Sequence, residues 1–180
     1  YLEGISDSEF AGDRDTRASV FGYIMYFCGA PVSWKSKSGK SVTLSSTEAE
    51  YFASSEAAKE LMFMYNLLEG MNEHHDVILP MTLRIHNTGA IYLANNHTTG
   101  QRTNHIDIRV HYVRELIDKG LLKTRFIKSE DNDSDIFTKN VSEELFNKHA
   151  MKNIDDLNDE RESGYIILEE KSWKQEKDWI

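Results

Sequence analysis

The chain begins with short apolar and aromatic stretches and changes to a helical spacing of apolar residues after Leu44. Residues 2–8, 19–28 and 32–36 carry β-branched and aromatic side chains between turns rich in Gly, Asp or Pro, which predicts three successive strands. Their short connections are typical of an antiparallel meander. The lysine- and serine-rich stretch of residues 35–40 is predicted to be a loop.

Residues 46–71 are predicted to form the longest helix. Apolar residues recur there at spacings of three and four and mark one buried helix face: Ala53, Ala57, Leu61, Met64 and Leu68. Glu50 precedes the first of these by three residues, so it lies on the same inward face, one turn from the helix start.

The second half of the chain alternates short strands with helices. Strands are predicted over residues 82–85 and 121–127, and Gly120 is predicted to end the helix before the second strand. Helices are predicted over residues 89–95, 105–119 and 142–151. A further helix is predicted to open at the acidic residues 129–135 and to run through residue 138. This order predicts an α/β domain with a mixed sheet, antiparallel at one edge and parallel through crossovers.

The charge of the chain is unevenly distributed. The net charge is −9, and residues 153–180, with nine acidic and four basic side chains, carry −5 of it. We therefore predict one domain over residues 1–152 and an acidic C-terminal extension over residues 153–180. The acidic balance argues against a strong nucleic-acid binder, although a cluster of acids at one metal site would account for the remaining −4.

A single cysteine, Cys28, excludes an intrachain disulfide and is typical of a reducing, intracellular setting. No apolar run approaches the roughly 18 residues of a membrane span, so no membrane partner is expected. The first residue is Tyr1 rather than methionine, which suggests a piece of a longer polypeptide.

Three carboxylates lie on elements that the predicted topology brings together. Asp7 lies on the first strand, Glu50 on the first helix and Asp135 on the last core helix. Clustered carboxylates need cations to neutralise them, and oxygen ligands suit Mg²⁺ or Mn²⁺. Two such ions about 3.5–4 Å apart activate water and stabilise the leaving oxygen in phosphodiester hydrolysis.

Each acid also has a structural interpretation. Ser45-x-x-Glu48 and Thr47-x-x-Glu50 both fit the capping box, in which an acid closes the first turn of a helix. The structural interpretation of Asp135 is an acid that favours a helix N-terminus, and that of Asp7 is a turn residue between two serines. The spacing of the acids does not decide between these interpretations and a metal site.

Seven segments between residues 4 and 150 form an ordered set of motifs: GISDSEFAGDRDTR, PVSWKSK, LSSTEAEY, SEAAKE, NTGAIYLANN, RTNHIDIRVHYVRE and SEDNDSDIFTK. Together they resemble the RNase H domain of copia-type (Ty1/copia) LTR retrotransposon polyproteins. The resemblance implies an RNase H-like fold, a five-stranded mixed sheet flanked by helices. It also implies a ribonuclease H that cleaves RNA in RNA–DNA hybrids with two Mg²⁺ or Mn²⁺ ions. Such a domain would act beside a reverse transcriptase domain of the same polyprotein, in a cytoplasmic particle or the nucleus.

The motifs assign roles to the three acids. By resemblance, Asp7 in ISDS is the first catalytic aspartate and bridges both metal ions. Glu50, the second glutamate of STEAEY, is the helical catalytic glutamate, which leaves Glu48 as the capping acid. Asp135 in SDIFTK is the last aspartate. The resemblance thus implies that Asp7, Glu50 and Asp135 are catalytic residues and metal ligands.

One position departs from the family. The family has a third aspartate at the end of the fourth strand, immediately before the Asn of a DNxGAI motif, and His86 stands there in this chain. A neutral imidazole brings no negative charge, and Mg²⁺ prefers oxygen ligands. We therefore predict that Mg²⁺-dependent hydrolysis is severely reduced. The alternatives are that His86 recruits Mn²⁺ or Zn²⁺, or that it is an inert loop residue in a decayed element.

Seven residues are predicted to contact the hybrid. The basic ones would bind phosphates, and the histidine belongs to a segment that the resemblance places near the substrate: Arg14, Arg17, Lys35, Lys37, Lys40, Arg102 and His105. The alternative for the basic residues is a solvated loop face.

Two functions from different classes follow from the sequence. The first is a ribonuclease H domain of a copia-type polyprotein, impaired at His86. The second is a catalytically inactive RNase H-like module, host-captured or decayed, that binds nucleic acid or a protein partner. Cleavage by a His86→Asp variant would distinguish the two.

Overall fold

A five-stranded mixed sheet forms the centre of the chain. The structure, a computed structural model, describes residues 1–13, 15–39, 43–72, 77–96 and 107–150, with only the backbone of 107–110. The strands are β1 (Leu2–Glu9), β2 (Val20–Phe27), β3 (Ala30–Ser38), β4 (Met81–Ile85) and β5 (Leu122–Phe126). Their order is β3-β2-β1-β4-β5, with β1, β2 and β3 antiparallel and β1, β4 and β5 parallel. The predicted α/β fold with a mixed sheet is confirmed.

Helices connect the strands. They are α1 (Ser46–Gly70), α2 (Thr88–Asn95), α3 (Asp107–Asp118) and α4 (residues 143–150). Helix α1 packs against the sheet through the predicted face, on which Ala53, Ala57 and Leu61 are fully buried. None of the helices in the described ranges has the length and apolar character needed to cross a bilayer.

The first turn of α1 separates the two acids of STEAEY. The Ser45 hydroxyl accepts a hydrogen bond from the Glu48 N–H at 3.1 Å, and the Glu48 carboxylate accepts one from the Leu44 N–H at 2.6 Å. These bonds satisfy donors that the helix itself leaves unpaired. Glu48 is therefore the capping acid, as predicted, and Glu50 is left to face the sheet.

Helix α3 ends as the sequence predicts. Gly120 has a φ of +67°, its N–H donates to the Ile117 carbonyl, and the Leu121 N–H donates to the Leu116 carbonyl. This is the Schellman pattern, which needs a left-handed residue and so favours glycine. The predicted start of this helix at 105 and the predicted end of the last helix at 151 lie outside the described residues.

The predicted lysine loop is wrong in its first half. Lys35 and Lys37 belong to β3, which among the described strands pairs with β2 alone and is the edge strand of the sheet. An edge strand that is exposed along most of its length needs no apolar alternation, and edge lysines discourage pairing with another chain. The strand predicted over residues 32–36 therefore extends further than its apolar pattern shows, to Ser38.

The predicted helix around residues 129–138 is also wrong. Two 3₁₀ turns, Ser129–Asp131 and Asp133–Phe137, occupy this stretch. Asn132 Oδ1 accepts hydrogen bonds from the Ser134 N–H and hydroxyl, and the Thr138 N–H donates to the Asp135 carbonyl. Side chains that bond nearby backbone groups compete with the α-helix and favour tight turns.

Gly22 lets the second 3₁₀ turn approach β2. A Cβ atom at this position would lie 2.7 Å from Thr138 Cγ2 and 2.9 Å from Phe137 Cβ. We expect Gly22→Ala to lower the free energy of unfolding by about 1–3 kcal/mol, because the turn must move away from the sheet. Urea denaturation would measure the change.

Gly70→Ala is the matched control, since a Cβ at Gly70 would meet no atom within 4 Å. Its cost is expected to stay within about 0.5 kcal/mol. Equal losses in the Gly22 and Gly70 variants would contradict the role assigned to Gly22.

Candidate active site

Asp7 lies near the end of β1, the central strand, directly opposite Gly22. Its side chain is only 1% exposed. Oδ1 accepts a hydrogen bond from Asn132 Nδ2 at 3.2 Å, and Oδ2 accepts one from the Thr138 hydroxyl. Both oxygens of this buried carboxylate therefore already have protein donors.

Asp135 lies in the second 3₁₀ turn and is as buried as Asp7. Its Oδ1 accepts from Asn132 Nδ2 at 2.7 Å, so one amide group bridges the two aspartates. Its Oδ2 accepts from Lys139 Nζ at 2.8 Å and from the Ser129 hydroxyl at 3.3 Å. Burial, reinforced by the charge of Asp7 and opposed by Lys139, raises the pKa of Asp135.

Glu50 projects from α1 toward the same cluster and is 5% exposed. Its carboxylate accepts a hydrogen bond from the Ser8 N–H, while its Oε2 has no hydrogen-bond partner among the described residues. Burial, together with the charge of Asp7, raises the pKa of Glu50 to about 9. In the metal-free protein Glu50 therefore keeps its proton at neutral pH.

Lys139 places an ammonium group between the two aspartates. Its Nζ lies 2.8 Å from Asp135 Oδ2 and 3.7 Å from Asp7 Oδ2, and the side chain is 32% exposed. Burial alone would lower the pKa of Lys139, but the hydrogen bond to Asp135 and the charges of Asp7 and Asp135 outweigh it and raise that pKa. Lys139 is therefore a protonated counter-ion to the acids.

His86 follows β4 directly, at the end of the sheet where β1 places Asp7. Its Nδ1 lies 3.1 Å from the Ile127 carbonyl oxygen, and its ring packs against Phe126 with centroids 5.8 Å apart. A carbonyl only accepts, so Nδ1 carries the proton. Because Phe126 ends β5, on the other side of β4 from β1, these contacts hold the imidazole toward β5.

The oxygen donors of Asp7, Glu50 and Asp135 are of the type that Mg²⁺ and Mn²⁺ prefer. The buried, unpartnered Oε2 of Glu50 is the atom that most clearly lacks a ligand. Yet within the described ranges no group of three or more His, Cys, Asp or Glu side chains is arranged to hold a metal ion. The residues fit a divalent cation by their chemistry, and their own hydrogen bonds close the site in this conformation.

The amino-acid sequence is similar to segments of retrotransposon polyproteins. It is 38% identical over 145 residues to the retrovirus-related Pol polyprotein from transposon TNT 1-94 of Nicotiana tabacum, and 34% identical over 151 residues to that from transposon RE1 of Arabidopsis thaliana. The matches cover 81% and 84% of this chain but only 11% and 10% of the polyproteins, so the chain spans about a tenth of their length. No family model matches the chain.

The fold is similar to that of LC11-RNase H1, solved in complex with RNA/DNA hybrid. The TM-score is 0.57 at 13% sequence identity, and the match covers 77% of this chain and 94% of that one. The chain is an RNase H-like domain homologous to copia-type Pol polyproteins. The resemblance to that family is thereby confirmed, and the site just described belongs to a copia-type RNase H-like domain.

Three of the seven predicted nucleic-acid contacts of the RNase H-like domain lie in the described ranges. Lys35 and Lys37 are exposed on β3 and flank Ser36, which shares one row across the sheet with Gly22 and Asp7. Two strand spacings, or about 10 Å, therefore separate this row of β3 from the carboxylates. Arg17 is exposed in the turn before β2. The others lie outside the described residues: Arg14, Lys40, Arg102 and His105.

Sequence reasoning missed the donors that surround the acids of the RNase H-like domain. Asn132, Thr138 and Lys139 were read only as parts of a motif. One signal was available, because Lys139 follows Asp135 at a spacing of four residues, which suits an ion pair on a helical or near-helical turn. Nothing in the sequence showed that Asn132 would donate to both Asp7 and Asp135, which are 128 residues apart in the chain (135 − 7).

Proposed function

We propose that this copia-type RNase H-like domain is a ribonuclease H that hydrolyses RNA in RNA–DNA hybrids, with an activity weakened at His86. The observation that carries the proposal is the convergence of Asp7, Glu50 and Asp135 at one end of an RNase H-like sheet. The neighbour solved with an RNA/DNA hybrid and the polyprotein homologues support the choice of substrate.

The three acids would act as ligands of two Mg²⁺ or Mn²⁺ ions. Bound ions of this kind supply Lewis acidity and an activated water in phosphodiester hydrolysis. Asp7, which interacts with both of the other acids, would be one of the ligands. Glu50 would ligate as a carboxylate and Asp135 through oxygens that now accept from Lys139 and Asn132.

His86 weakens this site in two ways. It removes one negative charge from the set of ligands, and its contacts with Ile127 and Phe126 hold the ring toward β5. We therefore expect low hydrolysis in Mg²⁺. The Nδ1–H donated to Ile127 leaves Nε2 with a lone pair in the neutral ring, so Mn²⁺ or Zn²⁺ would be the ions that His86 favours.

A second candidate function is that of a non-cleaving module that binds nucleic acid or a protein partner. The observation that favours it is the closed state of the carboxylates, with Lys139 as counter-ion and no acid at position 86. In either function the domain would cover residues 1–152, with residues 153–180 as an acidic extension. We place it beside a reverse transcriptase domain of the same polyprotein, inside a cytoplasmic particle or the nucleus.

Hybrid binding and cleavage test the proposal together. We expect the protein to bind an RNA–DNA hybrid more tightly than duplex DNA, with an affinity that falls steeply with salt, and to cleave the hybrid slowly in Mn²⁺. Fluorescence anisotropy and a gel assay of labelled RNA would measure both. Binding of the hybrid without cleavage in Mg²⁺ or Mn²⁺ would favour the non-cleaving module. Equal affinity for the hybrid and for duplex DNA would overturn the ribonuclease proposal.

Lys37 offers a sharper test of where the hybrid lies. Lys37→Ala should reduce the slope of log affinity against log salt by about one, as expected for one lost phosphate contact. Lys119→Ala is the matched control, since that exposed lysine lies at the end of α3 and pairs with Glu115. The same slope in the two variants would remove Lys37 from the interface.

A further inference from the structure

The ammonium of Lys139 lies against the two aspartates that would ligate a divalent ion. It contacts Asp135 Oδ2 and approaches Asp7 Oδ2, which are the oxygens of the two most buried acids of the cluster. The Oδ1 atoms of both acids accept hydrogen bonds from Asn132. The Thr138 hydroxyl also donates to Asp7 Oδ2, and the Ser129 hydroxyl to Asp135 Oδ2. The aspartates are thus satisfied without any metal.

A divalent ion and this ammonium cannot share the aspartates. Two positive charges a few ångströms apart repel strongly where the surroundings exclude water, and Asp7 and Asp135 are each only 1% exposed. The lysine itself is 32% exposed and has a flexible four-carbon stem, so its ammonium can move into solvent. The turn that carries Asp135 need not unfold for this exchange.

We propose that Lys139 is an internal counter-cation that closes the carboxylate site, and that a divalent ion binds Asp7 and Asp135 only by displacing it. This inference rests on the proposed function, because it assigns metal ligation to those aspartates. It adds that the Lys139 ammonium and the divalent ion compete for the aspartates, so the metal affinity depends on this lysine as well as on the number of acids. Removing Lys139 therefore opens the site even while His86 is present.

Direct Mn²⁺ binding tests the competition without reference to activity. In isothermal titration, Lys139→Met should bind Mn²⁺ at least about tenfold more tightly than the parent, because the methionine keeps the apolar stem and removes the charge. Lys128→Met is the matched control: Lys128 is exposed and pairs weakly with Glu130 at 3.5 Å. Its affinity should stay within about twofold of the parent value. A similar affinity in Lys139→Met and the parent would overturn the inference.

The parent protein provides a second measurement if Lys139→Met does not fold. Millimolar Mn²⁺ should increase acetylation of Lys139 by acetic anhydride, followed by mass spectrometry, because a displaced ammonium is more exposed. Lys128 serves as the internal reference, and its labelling should not change. Labelling of Lys139 that Mn²⁺ leaves unchanged or lowers would overturn the inference.

The two hypotheses fail in different ways. If Lys139→Met gains no Mn²⁺ affinity while the parent or His86→Asp cleaves the hybrid, only the role of Lys139 is wrong. If Lys139→Met gains affinity but no variant cleaves, the counter-cation is supported and the ribonuclease function is wrong. Asp7→Asn combined with Lys139→Met should lose the gained affinity, and retention of it would overturn the assignment of the site.

Discussion

His86→Asp is expected to cleave an RNA–DNA hybrid in Mg²⁺ about 100-fold faster than the parent, because two-metal hydrolysis depends on a full set of oxygen ligands. The aspartate restores a carboxylate at the end of β4, beside the strand that carries Asp7. It also removes the hydrogen bond that holds the imidazole to Ile127. Single-turnover rates on a labelled hybrid would measure the change.

Two control variants test whether the gain requires a negative charge at position 86 and whether the cleavage comes from this site. His86→Asn introduces an oxygen ligand without negative charge and should recover only a small part of the rate. Asp7→Asn in the His86→Asp background should return cleavage to background, because it removes the acid at the centre of the cluster. If the parent already cleaves as fast as His86→Asp, position 86 is not the weak point of the site.

Glu50→Gln is expected to stabilise the metal-free protein at alkaline pH. Glu50 has a folded-state pKa of about 9 against a reference value of 4.5, so between these values the folded state binds a proton that the unfolded state has lost. The parent's free energy of unfolding should therefore fall as the pH rises through this window, and level off above it. Glutamine is neutral throughout and removes this slope.

We expect the free energy of unfolding of Glu50→Gln to exceed that of the parent by roughly 4–5 kcal/mol at about pH 8, and by less than about 1 kcal/mol near pH 5. Urea unfolding in the presence of a chelator would give both values. Glu115→Gln is the matched control, because Glu115 is an exposed carboxylate whose hydrogen bond to Lys119 lowers its pKa. Parallel pH curves for Glu50→Gln and the parent would show that Glu50 is ionised in the folded protein.

The sequence predicted the elements whose burial follows a regular period. The spacing of Ala53, Ala57 and Leu61 identified α1 and placed Glu50 on its inward face, because a helix must bury one continuous stripe. Glu48 was correctly assigned to the cap, since its carboxylate reaches only the turn before the helix. Periodicity and capping are local, so one sequence suffices to reveal them.

The failures concern interactions that are not local. The end of the edge strand, with Lys35 and Lys37, has no apolar pattern, because it is exposed and β2 is its single neighbour among the strands that the structure describes. The turn that holds Asp135 was read as a helix, because the hydrogen bonds of Asn132 are not visible in a string of acidic residues. Lys139 could be identified as a counter-ion of Asp7 only from the distance between the two side chains in the folded chain.

The central strand β1 precedes both of its sheet neighbours, β2 and β4, in the chain. β2 can pair with it early, whereas the Thr138 hydroxyl reaches Asp7 across 131 residues of chain. Contacts of such long range form late in folding. Any fragment that ends before Asn132 therefore retains Asp7 without either of these side-chain donors, and its carboxylate must then stay in water rather than be buried.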